Sequence, residues 1–315
     1  MLIEQRYLKN IIQTNLVAAN YQYKAFGLII DSEIELPELT KALGETDVTV
    51  SLGVAPKALA NPTFVGVRFE SSHNEFLLRI EHIASFYVTA GNHITIDTQP
   101  NAEFDEVRLF LLGSAFGALL HQRGLLPFHG SSINLNNSAV IFSGHSGAGK
   151  STLAAAFNKN GYPLLSDDVS VITMSEKGIP YVQPGYPQMK LWSDSIVKLG
   201  KEPSSYKTIR KRVEKHSVPI VDYYQKEPIP LRNIFIVVSS NLGELKVEPI
   251  KGIEKFNLLK SNTYRFNFVV GKQMQANHFS YITTLSKQVN VFRLTRPSDK
   301  FVFDEMIDLI LENTK

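Results

Sequence analysis

The chain has no cysteine in its 315 residues. That excludes disulfides, thiolate zinc sites and a thiol nucleophile. It also lacks a long hydrophobic run. The longest strongly apolar stretch, Leu109 to Leu120, is too short to cross a bilayer and reads as a buried helix. The opening MLIEQRYLKN carries charge where a signal peptide needs an apolar run, so a cytoplasmic location is expected. Neither sign of charge dominates: the net charge is +3 and spread along the chain, so neither nucleic acid nor a membrane is expected as partner. No internal repeat and no low-complexity segment occurs. The composition, 43% hydrophobic and 20% charged, describes an ordinary soluble protein of one or two domains.

Residues 1–100 read as a small β-rich domain. Phe26 to Ile30 and Ile34 to Leu36 are short runs around a turn at Asp31-Ser32-Glu33. Val48 to Leu52, Glu75 to Glu81, Ser85 to Ala90 and His93 to Asp97 come next, and Gly91-Asn92 between the last two is a hairpin signal. Residues 101–124 read as a connecting helix, apolar on most of its circumference and so buried between the two halves. From residue 125 to 315 the pattern is α/β, giving a mixed α/β (α+β) chain.

One segment carries chemistry outright. Gly144-His145-Ser146-Gly147-Ala148-Gly149-Lys150-Ser151 fits G-x-x-x-x-G-K-[ST], the phosphate-binding loop. Its context is right: Ser138 to Ser143 reads as a buried strand running in, and Thr152 to Asn158 as the helix running out. Glycines let the backbone wrap so that its N–H groups converge on phosphates, and the helix N-terminus adds partial positive charge. Lys150 would reach the outer phosphates, Ser151 would hold Mg²⁺, and the loop through Thr152 would cradle the nucleotide.

Two further features gather around this loop. Asn136-Asn137 suits a two-residue hairpin turn, which pairs Leu135 with Ser138 and, counting outward, His129 with Gly144. Downstream, Ser166-Asp167-Asp168 precedes an apolar strand, Val169 to Ile172. One of the paired carboxylates can hold Mg²⁺ while the other accepts a proton from an attacking hydroxyl. There is no LSGGQ signature, no N-K-x-D motif, and neither H-R-D nor D-F-G, which disfavours transporter ATPases, switch GTPases and ordinary protein kinases.

His129-Gly130, the strand, GHSGAGKS, the short helix and Ser166-Asp167-Asp168 resemble the catalytic domain of bacterial HPr kinase/phosphorylase, whose loop and double aspartate also echo ATP-dependent phosphoenolpyruvate carboxykinase. The resemblance is dense over 125–172 and thin elsewhere. It implies a P-loop catalytic domain using ATP and Mg²⁺. It also implies Asp167 as catalytic base assisted by His129, Asp168 joining Ser151 at the metal, and Lys150 on the transferring phosphate. The stretch Tyr181 to Gln188 lacks the acid that HPr kinase carries before a glycine-rich segment, and the N-terminal region does not resemble the HPr kinase N-terminal domain. Ala25-Phe26-Gly27-Leu28, Gln122-Arg123-Gly124 and Pro184-Gly185-Tyr186-Pro187 with Lys190-Leu191-Trp192 are similar instead to the lasso-peptide precursor kinases, a branch that phosphorylates the C-terminal serine of a peptide.

An acceptor carboxylate would need a cation. The basic stretch from Ile196 to Val218 offers Arg210 and Arg212, read as a mobile flap, and the strand Asn290 to Pro297 ends in Arg296, a candidate phosphate contact. A final helix is expected over 299–312. The partner is then a peptide or small protein bearing a serine hydroxyl, and a homo-oligomer is compatible with the chain. Three alternatives stay open: HPr serine kinase/phosphorylase, a small-metabolite kinase, and a nucleotide-binding regulator without transfer chemistry.

Overall fold

The computed structural model describes residues 20–210, 213–241, 243–300 and 302–314. Tyr21–Ala25 (β1) and Leu28–Ser32 (β2) form the first hairpin. Its turn is Phe26-Gly27, both at positive φ (57° and 79°), rather than the expected 31–33, and no strand forms over 34–36. A phenylalanine is a poor turn residue, which hid this hairpin; here Phe26 is anchored from outside. Its N–H donates to the Pro184 carbonyl (2.7 Å) and its buried ring packs against Phe116 and Tyr186. Two sequence features that lie far apart, Phe26-Gly27 and Pro184-Gly185-Tyr186, thereby meet.

Thr40–Lys41 (β3), Val48–Leu52 (β4), Phe64–Val65 (β5), Phe69–Ser71 (β6), Glu75–Ile80 (β7), Ala84–Thr89 (β8) and His93–Thr98 (β9) complete a nine-stranded sheet in the order β3-β1-β2-β4-β9-β8-β7-β6-β5. Alternate residues of β8 and β9, such as Phe86, Val88, Ile94 and Ile96, point into the core, the period-2 pattern of a half-buried sheet. The β8–β9 hairpin forms as expected, with Thr89 opposite His93 and Ala90 and Gly91 at positive φ.

The connecting helix runs Phe104–Phe110 (α1), a π-helical turn Leu111–Ala115, and Phe116–Gln122 (α2). It is buried from Leu111 to His121. Gly117 permits close approach: a Cβ there would stand 2.9 Å from the Tyr264 ring. At its end, the Gln122 side chain accepts from the Gly91 N–H (2.9 Å), tying helix to hairpin. One core runs through the first sheet, this helix and Val169, Val171 and Tyr186 of the following part.

The second sheet contains Leu126–Leu135 (β10), Ser138–Ser143 (β11), Leu164–Ser166 (β12), Val169–Met174 (β13) and Pro180–Gln183 (β14). Gln188–Trp192 (β15) and Lys215–Pro219 (β16) form a separate two-stranded ribbon, and Ile229–Ser240 (β17), Lys246–Pro249 (β18) and Asn290–Pro297 (β19) return to the sheet. The order is β11-β10-β13-β14-β17-β19-β18, with β12 on β10, and β11 also pairs with β17. The β11–β17 and β17–β19 pairings are parallel, so three strand C-termini gather at one end, where α/β sheets hold ligands. Lys150–Lys159 (α3) and Phe303–Glu312 (α7) cover one face; Gly252–Ser261 (α5) and Lys272–Gln288 (α6) cover the other, and Ser193–Lys198 (α4) succeeds the first strand of the ribbon. Strand β11 serves both faces, Val140 and Phe142 in one core and Ala139 and Ile141 in the other, which explains its unbroken apolar run. Among the described residues no helix is long and apolar enough to cross a membrane.

Candidate active site

The β10–β11 hairpin has the expected register, Leu135 opposite Ser138 through Gly130 opposite Ser143, closed by Asn136 and Asn137 at φ 51° and 63°. His129 therefore lies beside Gly144, and its other side pairs with Val169 of β13. The loop after β11 needs its glycines. Gly144 sits at φ 128°, and a Cβ there would press to 2.5 Å from the Val237 carbonyl. Gly147 and Gly149 are at φ 82° and 102°, conformations L side chains rarely adopt, and Gly147 faces open space. Helix α3 begins at Lys150, so its free N–H groups open on this loop. The Lys150 ammonium donates to the carbonyls of Gly144 (2.9 Å) and His145 (3.0 Å) across the loop mouth. From behind, buried Arg296 donates to the Ala148 carbonyl (2.9 Å).

The two aspartates diverge. The Val169 N–H donates back to the Asp167 carbonyl (2.9 Å), and Asp168 between them has φ 71°. This is a γ-turn, a rare and strained conformation for a residue with a side chain. It sends the two carboxylates opposite ways. Asp167 is only 5% exposed and both its oxygens are engaged: Oδ1 accepts from the Ser131 hydroxyl (2.6 Å) and Oδ2 from the Lys190 N–H (2.8 Å). Asp168 faces outward, with Oδ1 3.8 Å from His129 Nδ1 and Oδ2 3.5 Å from Lys190 Nζ.

His129 is oriented by backbone. Its Nδ1 lies 3.1 Å from the Asp168 carbonyl oxygen, which can only accept; Nδ1 therefore carries the proton and Nε2 presents a lone pair. Burial, then the Lys150 charge, lowers its pKa from 6.5 against the pull of Asp168, so the ring is neutral at pH 7. Burial alone would raise the Asp168 carboxyl, but Lys190, Lys215 and His129 hold it below the usual range. Burial works against the Lys190 ammonium, yet Tyr186, Asp168 and Tyr264 around it hold its pKa above the ordinary lysine value.

Two clefts meet at this point. The first, about 280 Å³, is lined by Ser146, Gly147, Gly149, Lys150, Ser151 and Thr152 of the loop, by His129 and Asp168, and by the ribbon lysines Lys190 and Lys215. Among the described residues that line it, Lys150, Lys190, Lys198, Lys215, Arg296 and Lys300 face three carboxylates, an excess suited to a polyphosphate. The second, about 720 Å³, is lined by His129, Gly144, His145, Ser146 and Asp168 together with Ile236, Val238, Leu258 and the segment 261–265. His129, Ser146 and Asp168 border both.

The residues expected at the loop are thus brought together, and Ala148 is buried beneath it with its carbonyl on Arg296. Three placements differ from expectation. Asp167 lines neither cleft, because the γ-turn commits it to Ser131 and β15. Arg296 reaches the first cleft, but its guanidinium braces the Ala148 and Pro297 carbonyls. Arg210 lies away from both clefts: it bonds Glu106 (2.8 Å) and stacks over Phe110, while Lys207 pairs with Asp105, so this part of the basic stretch is docked on α1 instead of forming a flap. Arg212 lies outside the described residues. Lys190, Ser131 and Tyr264 received no role from the sequence, whereas Lys198 and Lys215 of the basic stretch do reach the first cleft. The serines of β10, polar residues in an otherwise buried strand, were the available signal.

For Mg²⁺ the chain offers Ser151 and Asp168 on one cleft; no group of three or more acidic, histidine or cysteine ligands exists among the described residues. A hydroxyl and one carboxylate fit a cation that keeps waters and takes phosphate oxygens.

No family model and no curated protein matches the chain. Among solved structures, the Hpr(Ser) kinase/phosphatase from Coxiella burnetii is similar at 11% identity over 60% of this chain and 95% of that one, with a TM-score of 0.32. At that TM-score the likeness carries no weight for fold or chemistry; the geometry of the site does.

Proposed function

We propose that the protein is an ATP-dependent kinase that transfers a phosphoryl group to a serine hydroxyl of a peptide, in the manner of the lasso-peptide precursor kinases. The observation that carries this reading is the strained turn that sets the Asp168 carboxylate, beside neutral His129, between a phosphate-binding cleft and a second cleft. A regulator that only binds nucleotide has no need of an ionised carboxylate on a second opening.

The loop N–H groups and Lys150 hold the phosphates and balance charge as the bond to the leaving group lengthens. The acceptor oxygen bonds to the γ-phosphorus as the bond from that phosphorus to the bridging oxygen breaks; the nucleoside diphosphate leaves, and Asp168 takes the hydroxyl proton. Asp168 thus assumes the base role that the family resemblance implied for Asp167. His129 fixes the turn through its Nδ1–H and limits where the hydroxyl can sit. Ser151, with phosphate oxygens and water, would hold Mg²⁺, which would supply charge neutralisation at the outer phosphates; Asp168, which the resemblance implied at the metal, serves instead as the proton acceptor. Lys190, fixed against Asp168, keeps that carboxylate ionised.

Intact mass spectrometry tests the reading, using the full chain with Mg-ATP and a serine-terminated peptide, with HPr as a parallel acceptor. The expected result is one phosphate on the peptide's serine, lost by roughly 10²- to 10⁴-fold in Asp168→Asn with ATP still bound. Phosphate on HPr alone would instead assign the HPr serine kinase/phosphorylase alternative. ATP binding without transfer to either would remove both.

A further inference from the structure

The first cleft has a clear occupant; the second does not. Its rim is built by residues 262–265, which run beside β10 as a short antiparallel stitch. His129 N–H donates to the Asn262 carbonyl (2.7 Å), Tyr264 N–H donates to the Pro127 carbonyl (2.9 Å), and Thr263 bridges Phe128. Two histidines pin this stitch from behind. His121 Nε2 donates to the Tyr264 carbonyl (2.8 Å), and His278 Nε2 lies 2.8 Å from the Thr263 hydroxyl. At the tip stands Arg265, in the left-handed region at φ 51°, ψ 43°. A long side chain seldom adopts that conformation, and such outliers persist where the surroundings over-determine them. Its guanidinium rests over the Tyr264 ring at 5.5 Å, it is exposed, and it has no carboxylate partner among the described residues. The other arginine of the cleft, Arg293, is neutralised by Glu254.

We infer that the second cleft receives the acceptor, and that Arg265 recognises a carboxylate next to the accepting hydroxyl, as at the C-terminal serine of a peptide. This rests on the kinase reading. In-line transfer sets donor and acceptor on opposite sides of the moving phosphorus, and Asp168 and His129 border both openings. The remaining walls, Ile236, Val238 and Leu258, suit the side chains of preceding residues. A third cavity, beside Arg108 and Lys207, is a weaker competitor. Those cations are already paired with Glu38 and Asp105, and Asp168 does not line it. Arg210, the sequence candidate for a carboxylate, is likewise committed to Glu106.

The test uses the full chain with ADP and a short fluorescein-labelled peptide ending in serine, as free carboxylate and as amide, read by fluorescence anisotropy. The carboxylate form should bind roughly ten- to hundred-fold tighter, the range for a hydrogen bond to a charged group. In Arg265→Asn, which removes the charge yet tolerates the left-handed conformation, the two forms should bind alike; Arg265→Lys should restore part of the difference. ADP affinity should not change. Equal binding of both forms to the native chain, binding of neither, or equal weakening of both in Arg265→Asn would overturn the inference. Phosphoryl transfer, followed separately with ATP, distinguishes the two readings. Discrimination without transfer would keep the carboxylate site and remove the kinase reading, whereas equal transfer to both forms would do the reverse.

Discussion

The first cleft is walled by backbone and by cations that are held in place, Lys150 on its own loop, Lys190 against Asp168 and Arg296 behind Ala148. The second is walled by apolar side chains and by a stitched segment that ends in one strained arginine with no carboxylate partner among the described residues. The first is organised to receive several negative charges wherever the rest of a nucleotide lies; the second can read one charge at one position. On the proposed reading, the first is a donor site built for affinity and the second an acceptor site built for choice. Asp168, His129 and Ser146 border both, so damage there should act on transfer from one to the other, and damage elsewhere on one cleft only.

That contrast can be broken in stages. Removing the Asp168 carboxylate carries the largest expected effect, a loss of roughly 10²- to 10⁴-fold in transfer, because no other carboxylate borders both clefts. Lys150→Ala should come next, with transfer reduced roughly 10²- to 10³-fold and the loss read in nucleotide affinity as well as turnover, while peptide affinity holds. Equal loss of peptide affinity would merge the two clefts into one site. Ser131→Ala leaves Asp167 Oδ1 buried without its donor and should cost about 1–3 kcal/mol of stability in a denaturant titration, with at most a modest loss of turnover.

The smallest effect concerns acid. Burial, first, and the nearby His278 lower the His121 pKa to about 4, against its hydrogen bond to the Tyr264 carbonyl. His278 itself is lowered to about 4 by burial and by Lys260. Both rings are neutral in the folded chain and would take up protons in the unfolded chain below about pH 6.5. The unfolded state then binds more protons, so this stability is fully present above pH 6.5 and is lost as pH falls towards 4. Because both rings hold residues 263 and 264, amide exchange of that stitch should rise in this window before exchange of β11 does. His121→Gln should flatten the dependence; an unchanged slope would show that the rings do not carry it.

Much of the first cleft was legible in the chain. Gly144 to Ser151, the β10–β11 register and the position of His129 come from local rules, spacing and a two-residue turn. The second cleft was not, because it is assembled by residues from β10, β17, α5 and the segment after it, which no short pattern connects. Arg210 drew attention by local charge density, yet its partner Glu106 lies on a helix far away in sequence. The first hairpin was displaced for a similar reason: Phe26 occupies a turn only because Pro184 and Tyr186 receive it. The division of labour between Asp167 and Asp168 depends on one backbone torsion, and adjacency in sequence says nothing about which carboxylate turns inward.

The two aspartates therefore supply the most direct test. Asp167→Asn and Asp168→Asn should be compared for melting temperature, ATP affinity and transfer rate. The expected pattern is that Asp168→Asn stays folded, binds ATP and loses at least about 100-fold in transfer. Asp167→Asn should melt lower, since an amide cannot accept from both Ser131 and Lys190 through its two termini, yet transfer within about tenfold of native below its melting temperature. The reverse pattern, full transfer in Asp168→Asn and none in a normally stable Asp167→Asn, would contradict the assignment of Asp168 as the base.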